Sequence, residues 1–169
     1  VVGASADDDH GTDSGSAYLF VNNHNGSWSQ QAKLTAGDAA ENDFFGVSVS
    51  IAGDHVVVGA DSAGDQSGSA YIFVNNHNGS WSQQAKLTSG NAAGSELFGC
   101  SVSIAGDRVV VGASGHDENG ARSGRAYVFV NNHNGSWTQQ AQLTASDAEK
   151  EDLFGFSISI AGDRVVVGA

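Results

Sequence analysis

Residues Phe45-Gly46-Val47-Ser48-Val49-Ser50-Ile51-Ala52-Gly53-Asp54-His55-Val56-Val57-Val58-Gly59-Ala60 recur as 98–113 and again as 154–169, and the chain opens on the tail of another copy, Val1-Val2-Gly3-Ala4. Each copy reads as two short β-strands joined by an Ala-Gly-Asp turn. Ser-Val-Ser-Ile alternates small polar with branched apolar residues at period two, and Val-Val-Val is a continuous β-branched run. Phe-Gly sets a bulky anchor beside a residue that accepts a bend or a close backbone approach. Three copies make this a repeat protein.

Working outward, the Val-Gly-Ala glycines Gly3, Gly59, Gly112 and Gly168 are spaced 56, 53 and 56 residues apart. Trp28, Trp81 and Trp137 keep the same rhythm, always 17 residues ahead of Phe45, Phe98 and Phe154. The length change therefore falls between Gly-Ala and the next Ser-Gly, which marks that segment as a surface loop. Each repeat is expected to hold four strands. Strand A is 48–51 and its copies, and strand B is 56–59 and its copies. Strand C is 16–21 with 69–74 and 125–130, and strand D is 28–35 with 81–88 and 137–144. Asn25-Gly26 between C and D is a tight-hairpin signal. Four antiparallel strands per ~50-residue repeat make a β-propeller blade. A small, serine-rich strand A suits the crowded centre, and strand D, with Gln, Lys and Thr, suits the outer edge. The predicted fold is all-β, with repeat units 1–55, 56–108 and 109–164, and 165–169 opening another. Reading from Val1, the strands run B-C-D, twice A-B-C-D, then A-B. That is 13 strands, fewer than a closed ring of at least four blades requires. The expectation is an open segment, cut from a longer protein, or a homo-oligomer that completes a ring.

Composition narrows the function classes. The 169 residues include 23 glycines and no proline, with 40% hydrophobic residues, enough for a packed core. The net charge is -12, from 19 acidic and 7 basic residues, which argues against a nucleic-acid partner. No apolar run is long enough to span a bilayer, so no membrane insertion is expected. Cys100 is the one cysteine and takes the repeat position of Val47 and Phe156, as a packing thiol would.

The succession Phe-Gly, Ser-Val-Ser-Ile-Ala-Gly-Asp, Val-Val-Val-Gly-Ala, Ser-Gly-Ser-Ala-Tyr-x-Phe resembles the FG-GAP repeat, the blade unit of integrin α-subunit propellers and of many bacterial and algal extracellular proteins. The tail Trp-Ser-Gln-Gln-Ala-Lys-Leu-Thr is similar to a non-integrin subgroup. The resemblance covers all three repeats. It implies a propeller, usually of seven blades, in an extracellular or cell-surface protein used for adhesion or ligand binding.

Alternating hairpins put the B–C loops and D–A connections on one rim, and the A–B and C–D turns on the other. Only Asp54, Asp107 and Asp163 of the 19 acidic residues fall in A–B turns, leaving 16 for the first rim. On that rim, Asp8, Asp61, Asp65, Asp117, Glu118 and Arg122 from B–C loops, with Asp43, Glu96 and Asp152 from D–A connections, are the candidate binding residues for a protein or glycan ligand. No cofactor is certain. Asp7, Asp9 and Asp13, set around a glycine, are the residues expected to hold a calcium ion if one binds. The integrin calcium loop lies between strands A and B, where this chain has only Ala-Gly-Asp, so that site does not transfer. His24, His77 and His133 in the C–D turns lie too far apart to share a metal. Asn25-Gly26-Ser27 and its copies match the N-glycosylation pattern, but the hairpin demands the same residues. Trp28, Trp81 and Trp137 are expected to pack between blades rather than to stack on sugars. Nothing resembles a catalytic constellation, so the expectation is a non-enzymatic binding module. The alternatives are an accessory domain of a secreted carbohydrate-active enzyme or phospholipase, and a lectin with sites between blades.

Overall fold

The computed structural model describes residues 1–64, 66–90, 95–117 and 122–169. Among them lie thirteen strands: β1 (Val2–Ala4), β2 (Ser16–Asn22), β3 (Trp28–Leu34), β4 (Ser48–Ala52), β5 (His55–Ala60), β6 (Ser69–Asn75), β7 (Trp81–Leu87), β8 (Phe98–Ala105), β9 (Arg108–Ala113), β10 (Arg125–Asn131), β11 (Trp137–Leu143), β12 (Ser157–Ala161) and β13 (Arg164–Gly168). They form antiparallel sheets ordered β1-β2-β3, β4-β5-β6-β7, β8-β9-β10-β11 and β12-β13. The expected B-C-D, A-B-C-D, A-B-C-D, A-B succession is thus the observed one: an open, propeller-like segment. Strand β8 starts earlier than expected, at Phe98, because Phe98 pairs with Ala113 ahead of an irregularity that ends at Val102.

In β5 and β9 the Val-Val-Val runs are apolar throughout because both faces of the strand are covered. Val56 and Val58 turn toward the first sheet, where they meet Ala17, Leu19 and Leu34 together with Tyr71 and Phe73. Val57 turns the other way, and with Ile72 and Leu87 it meets Val109, Val111, Tyr127 and Phe129 of the third sheet. Phe45 seals the first joint, its ring edge-on to Tyr71 at 5.4 Å and to Phe73 at 6.0 Å. Phe98 repeats this on Tyr127 and Phe129 in the second joint. Burying each such side chain contributes about 2 kcal/mol, so the joints between blades form the core.

At the inner end the blades interlock through backbone. Ser48 Oγ donates to Gly99 O at 2.7 Å, and Ser101 Oγ donates to Gly155 O at 2.6 Å. The Ile104 and Ile160 amides donate to Ser50 and Ser103 Oγ of the preceding inner strand. The serines of strand A therefore replace side-chain bulk with cross-blade hydrogen bonds.

At the outer edge, every C–D ladder carries a β-bulge, between Leu19/Phe20, Ile72/Phe73 and Val128/Phe129. The residues skipped opposite these steps are Gln31, Gln84 and Gln140. A bulge re-aims a side chain, and here it points glutamine at the next blade. Trp81 Nε1 donates to Gln31 Oε1 at 3.4 Å, and Trp137 Nε1 donates to Gln84 Oε1 at 2.8 Å. Trp81 and Trp137 pack between blades, as expected, whereas Trp28 is exposed.

Candidate functional site

The two rims separate as the strand order requires. On one, the A–B and C–D turns meet. Asp54 O accepts the Asn75 amide and Asp107 O accepts that of Asn131, each at 2.9 Å. His77 Nε2 lies 3.6 Å from Asp54 Oδ2 and His133 Nε2 lies 3.5 Å from Asp107 Oδ2, both pairs well exposed. His77 and His133 thus face a carboxylate of their own blade rather than one another.

On the opposite rim each B–C loop is tied to the following D–A connection. The Asn42, Phe44 and Phe45 amides donate to the carbonyls of Thr12, Asp13 and Ser14. Ser95 and Phe98 donate likewise to Gln66 and Ser67, and Leu153 and Phe154 to Arg122 and Ser123. Docking requires left-handed backbone at the same three places in every joint: Asp13, Asn42 and Phe44, then Gln66, Ser95 and Leu97, then Arg122, Glu151 and Leu153. Such conformations are costly for non-glycine residues. Their recurrence shows that the rim is braced backbone bearing variable side chains.

Beneath the rim every blade places a strand-C tyrosine opposite a strand-D residue, and each copy solves the charge differently. In the first, Asp7 Oδ2 accepts from Ser16 Oγ at 2.9 Å and Tyr18 Oη at 2.8 Å, and lies 3.1 Å from Lys33 Nζ. Tyr18, Ser16 and Lys33 together lower the Asp7 pKa to about 2. Lys33 also pairs with Asp9, which foremost holds its pKa above the usual lysine value, and covers the Tyr18 ring. The carboxylates expected to take calcium are thus drawn onto an ammonium, while Asp13 contributes its amide to Asp8 Oδ1 at 2.9 Å. Among the described residues no three His, Cys, Asp or Glu side chains gather to hold a metal.

In the second blade Lys86 covers Tyr71 and reaches Asp38 Oδ2 at 2.6 Å. Ala63 occupies the Asp7 position, its carbonyl accepting the Gly68 amide as that of Asp7 accepts the Gly15 amide. Burial pushes the Tyr71 pKa up to about 12. In the third blade the lysine position is Gln142, paired with Tyr127. Its missing charge returns across the sheet from Arg125, at the position of Ser16 and Ser69, whose Nη1 donates to Gln142 Oε1 at 2.8 Å. His116 takes the Asp7 position and its Nδ1 lies 3.3 Å from Glu96 Oε1. Burial, then the Glu96 charge, raises the Tyr127 pKa.

The rim residues named from sequence divide accordingly. Asp43 and Glu96 are buried. Asp43 Oδ2 caps the Ala40 amide at 2.8 Å, and burial raises its pKa. Burial likewise raises the pKa of half-buried Asp61. Asp152 Oδ2 caps the Glu149 amide at 2.7 Å. Asp43 and Asp152 thus brace the connections. Asp65 and Glu118 lie outside the described residues. Asp8, Asp117 and Arg122 are exposed, and Asp117 Oδ1 accepts the Arg122 amide at 2.6 Å. Asp117 and Arg122 line, with Ser95, Leu97 and Gly115, a cleft of about 410 Å³ between the third B–C loop and the connection leading into β8. The Gln142–Arg125 exchange and the bulged glutamines were not anticipated from sequence. The first was visible as a paired departure from the repeat, Lys-to-Gln with Ser-to-Arg; the second only as three glutamines at fixed distance from tryptophan.

The family model described as FG-GAP repeat matches residues 28–73, 81–129 and 137–169. No curated protein matches the chain.

Proposed function

The chain belongs to the FG-GAP repeat family, and from that premise we propose that it is a non-enzymatic binding module of an extracellular or surface protein. Its braced B–C/D–A rim would take a partner protein through a basic surface. One observation carries this reading. Once internal pairs are set aside, Asp8, Glu41, Asp117, Asp147 and Glu149 remain exposed on this rim with no cationic side chain against them among the described residues. The opposite rim places Asp54 and Asp107 beside histidines and Asp163 3.1 Å from Arg108. Carboxylates held on rigid backbone and left without counter-charge favour a complementary positive surface and speed its encounter.

The test is retention on an immobilised basic peptide at rising ionic strength. Reversing Asp8, Glu41 and Asp117 to lysine is expected to weaken binding about tenfold or more, as loss of rim charge complementarity does. The equal reversal of Asp54, Asp107 and Asp163 should leave it nearly unchanged. Equal losses from the two triple variants would reduce the effect to net charge and defeat the proposal.

A further inference from the structure

We infer that Arg122 marks a subsite within the acidic rim, where it takes an acidic side chain of the partner, seated in the cleft beside Leu97. The inference rests on the acidic-rim reading above and names one contact inside it. The other cations of this rim are already held. Lys33 pairs with Asp7 and Asp9, Lys86 with Asp38, and Lys150 with Glu151 at 3.5 Å. Arg125, beneath the rim, is buried and donates to Gln142. Arg122 is exposed, and among the described residues no carboxylate lies within ion-pair distance of its guanidinium.

The backbone explains why that charge stays open. Asp117 belongs to the same loop, yet its Oδ1 accepts the Arg122 amide at 2.6 Å. The carboxylate is thus engaged by the backbone of the very residue whose side chain it would otherwise neutralise. The Arg122 carbonyl accepts the Leu153 amide at 3.0 Å, and the residue is left-handed, with φ 58°. Both backbone groups are fixed, so the side chain leaves from a rigid point. The repeat places Asp13 and Gln66 at this position. The guanidinium is therefore a departure of the third blade rather than part of the common architecture.

The cleft beside it is equally particular to this blade. Gly115 donates its amide to Glu96 O at 3.0 Å, and a methyl group there would overlap Ser95 O. Ser62 holds that place in the second blade, whose described loop residues make no backbone hydrogen bond to the connection ahead of β4. Glycine thus lets the third B–C loop settle on its own connection, and His116 against Glu96 adds a side-chain tie. Of the residues lining the cleft, Ser95, Leu97 and Arg122 are all left-handed, so its walls are set by braced backbone. A glutamate suits this chemistry. Its methylenes would lie against half-buried Leu97, and its carboxylate would meet the guanidinium fork, which holds carboxylates through two parallel hydrogen bonds. A lysine in the same place would meet Arg122 as a like charge. The rim as a whole favours a basic surface, whereas the subsite asks for one acidic residue in its midst. That combination rejects surfaces that are merely positive.

The test takes a lysine-rich peptide and a set in which glutamate replaces each lysine in turn, with affinities for the full chain read by fluorescence anisotropy. If net charge alone acts, every glutamate peptide binds more weakly than the all-lysine one. With the subsite, at least one is expected to bind about tenfold more tightly, as a close charge pair at an interface allows. Arg122→Gln, at an exposed position, should keep the circular dichroism spectrum, the denaturation midpoint and binding of the all-lysine peptide, and lose the preference. Arg122→Lys, which keeps the charge without the planar fork, should retain only part of it. Lys150→Gln, which removes another exposed cation of the rim, should leave it intact. The absence of any preferred glutamate peptide, or a preference that survives Arg122→Gln, would overturn the inference. If the all-lysine peptide also fails to bind, the acidic-rim reading falls with it. If that peptide binds and no preference appears, the rim reading stands and the subsite alone fails.

Discussion

Gly59 and Gly112 show why the repeat keeps Val-Gly-Ala. A methyl group on either would overlap the carbonyl of the Phe-Gly glycine in the next blade, Gly99 or Gly155. Backbone meets backbone there, and neither side can move without opening the joint. Gly59→Ala should therefore cost about 3 kcal/mol in urea denaturation, at the upper end of overpacking. Gly79→Ala, in open space but at φ 86°, should cost only about 1 kcal/mol from left-handed strain. Asp7 supplies the second residue-scale expectation. Its pKa falls from 3.8 to about 2 on folding. A carboxyl whose folded pKa is depressed contributes stability that is fully present above its unfolded value, and loses it as pH falls through the folded one. The denaturation midpoint of the parent should thus fall between about pH 4 and pH 2 more steeply than that of Asp7→Asn, measured by urea titration at each pH.

At the scale of the element, the hairpin β10–β11 shows one charge moved between two strands. Where the earlier hairpins hold serine on C and lysine on D, this one holds Arg125 and Gln142, joined by a hydrogen bond of 2.8 Å. Arg125→Ser should cost about 2 kcal/mol, as losing a buried hydrogen bond to a charged group does. Adding Gln142→Lys should recover at least half of it, because the pair then matches Ser69 and Lys86 of β6–β7. A double-mutant cycle on urea midpoints measures that coupling. If the two substitutions are additive, the exchange is coincidental. The same comparison explains why the loops look functional. The strands repeat because every blade must fit its neighbours, whereas the Asp7, Ala63 and His116 position meets groups that differ from blade to blade: Ser16, Tyr18 and Lys33 in the first, the apolar joint in the second and Glu96 in the third.

For the whole molecule, the acidic rim is the surface proposed for a partner, and salt tests it. The acidic rim acts through exposed charge, so its binding should weaken as ionic strength rises. Retention on the basic peptide, measured along a sodium chloride series, should fall steadily as the salt rises. Retention that does not change with salt would mean that exposed charge does not hold the partner.

The strand count, the blade order, the inner place of the serine-rich strand and the split of the rims were all legible in the sequence. Hydrophobic period, turn chemistry and a fixed repeat length are local properties, and three copies multiply each signal. The partners of the charges were not legible. Asp7, Asp9 and Asp13 read as ligands because spacing shows carboxylates near one another; only the folded sheet brings Lys33 across from a different strand. Asp43 and Glu96 read as rim residues, and the fold buries them, since what closes over a loop comes from another blade. Phe45-Gly46 through Gly59-Ala60 determined by itself that this chain builds blades. Which polar groups stay open to a partner was decided by tertiary packing alone, because burial and pairing depend on residues brought in from other strands and other blades.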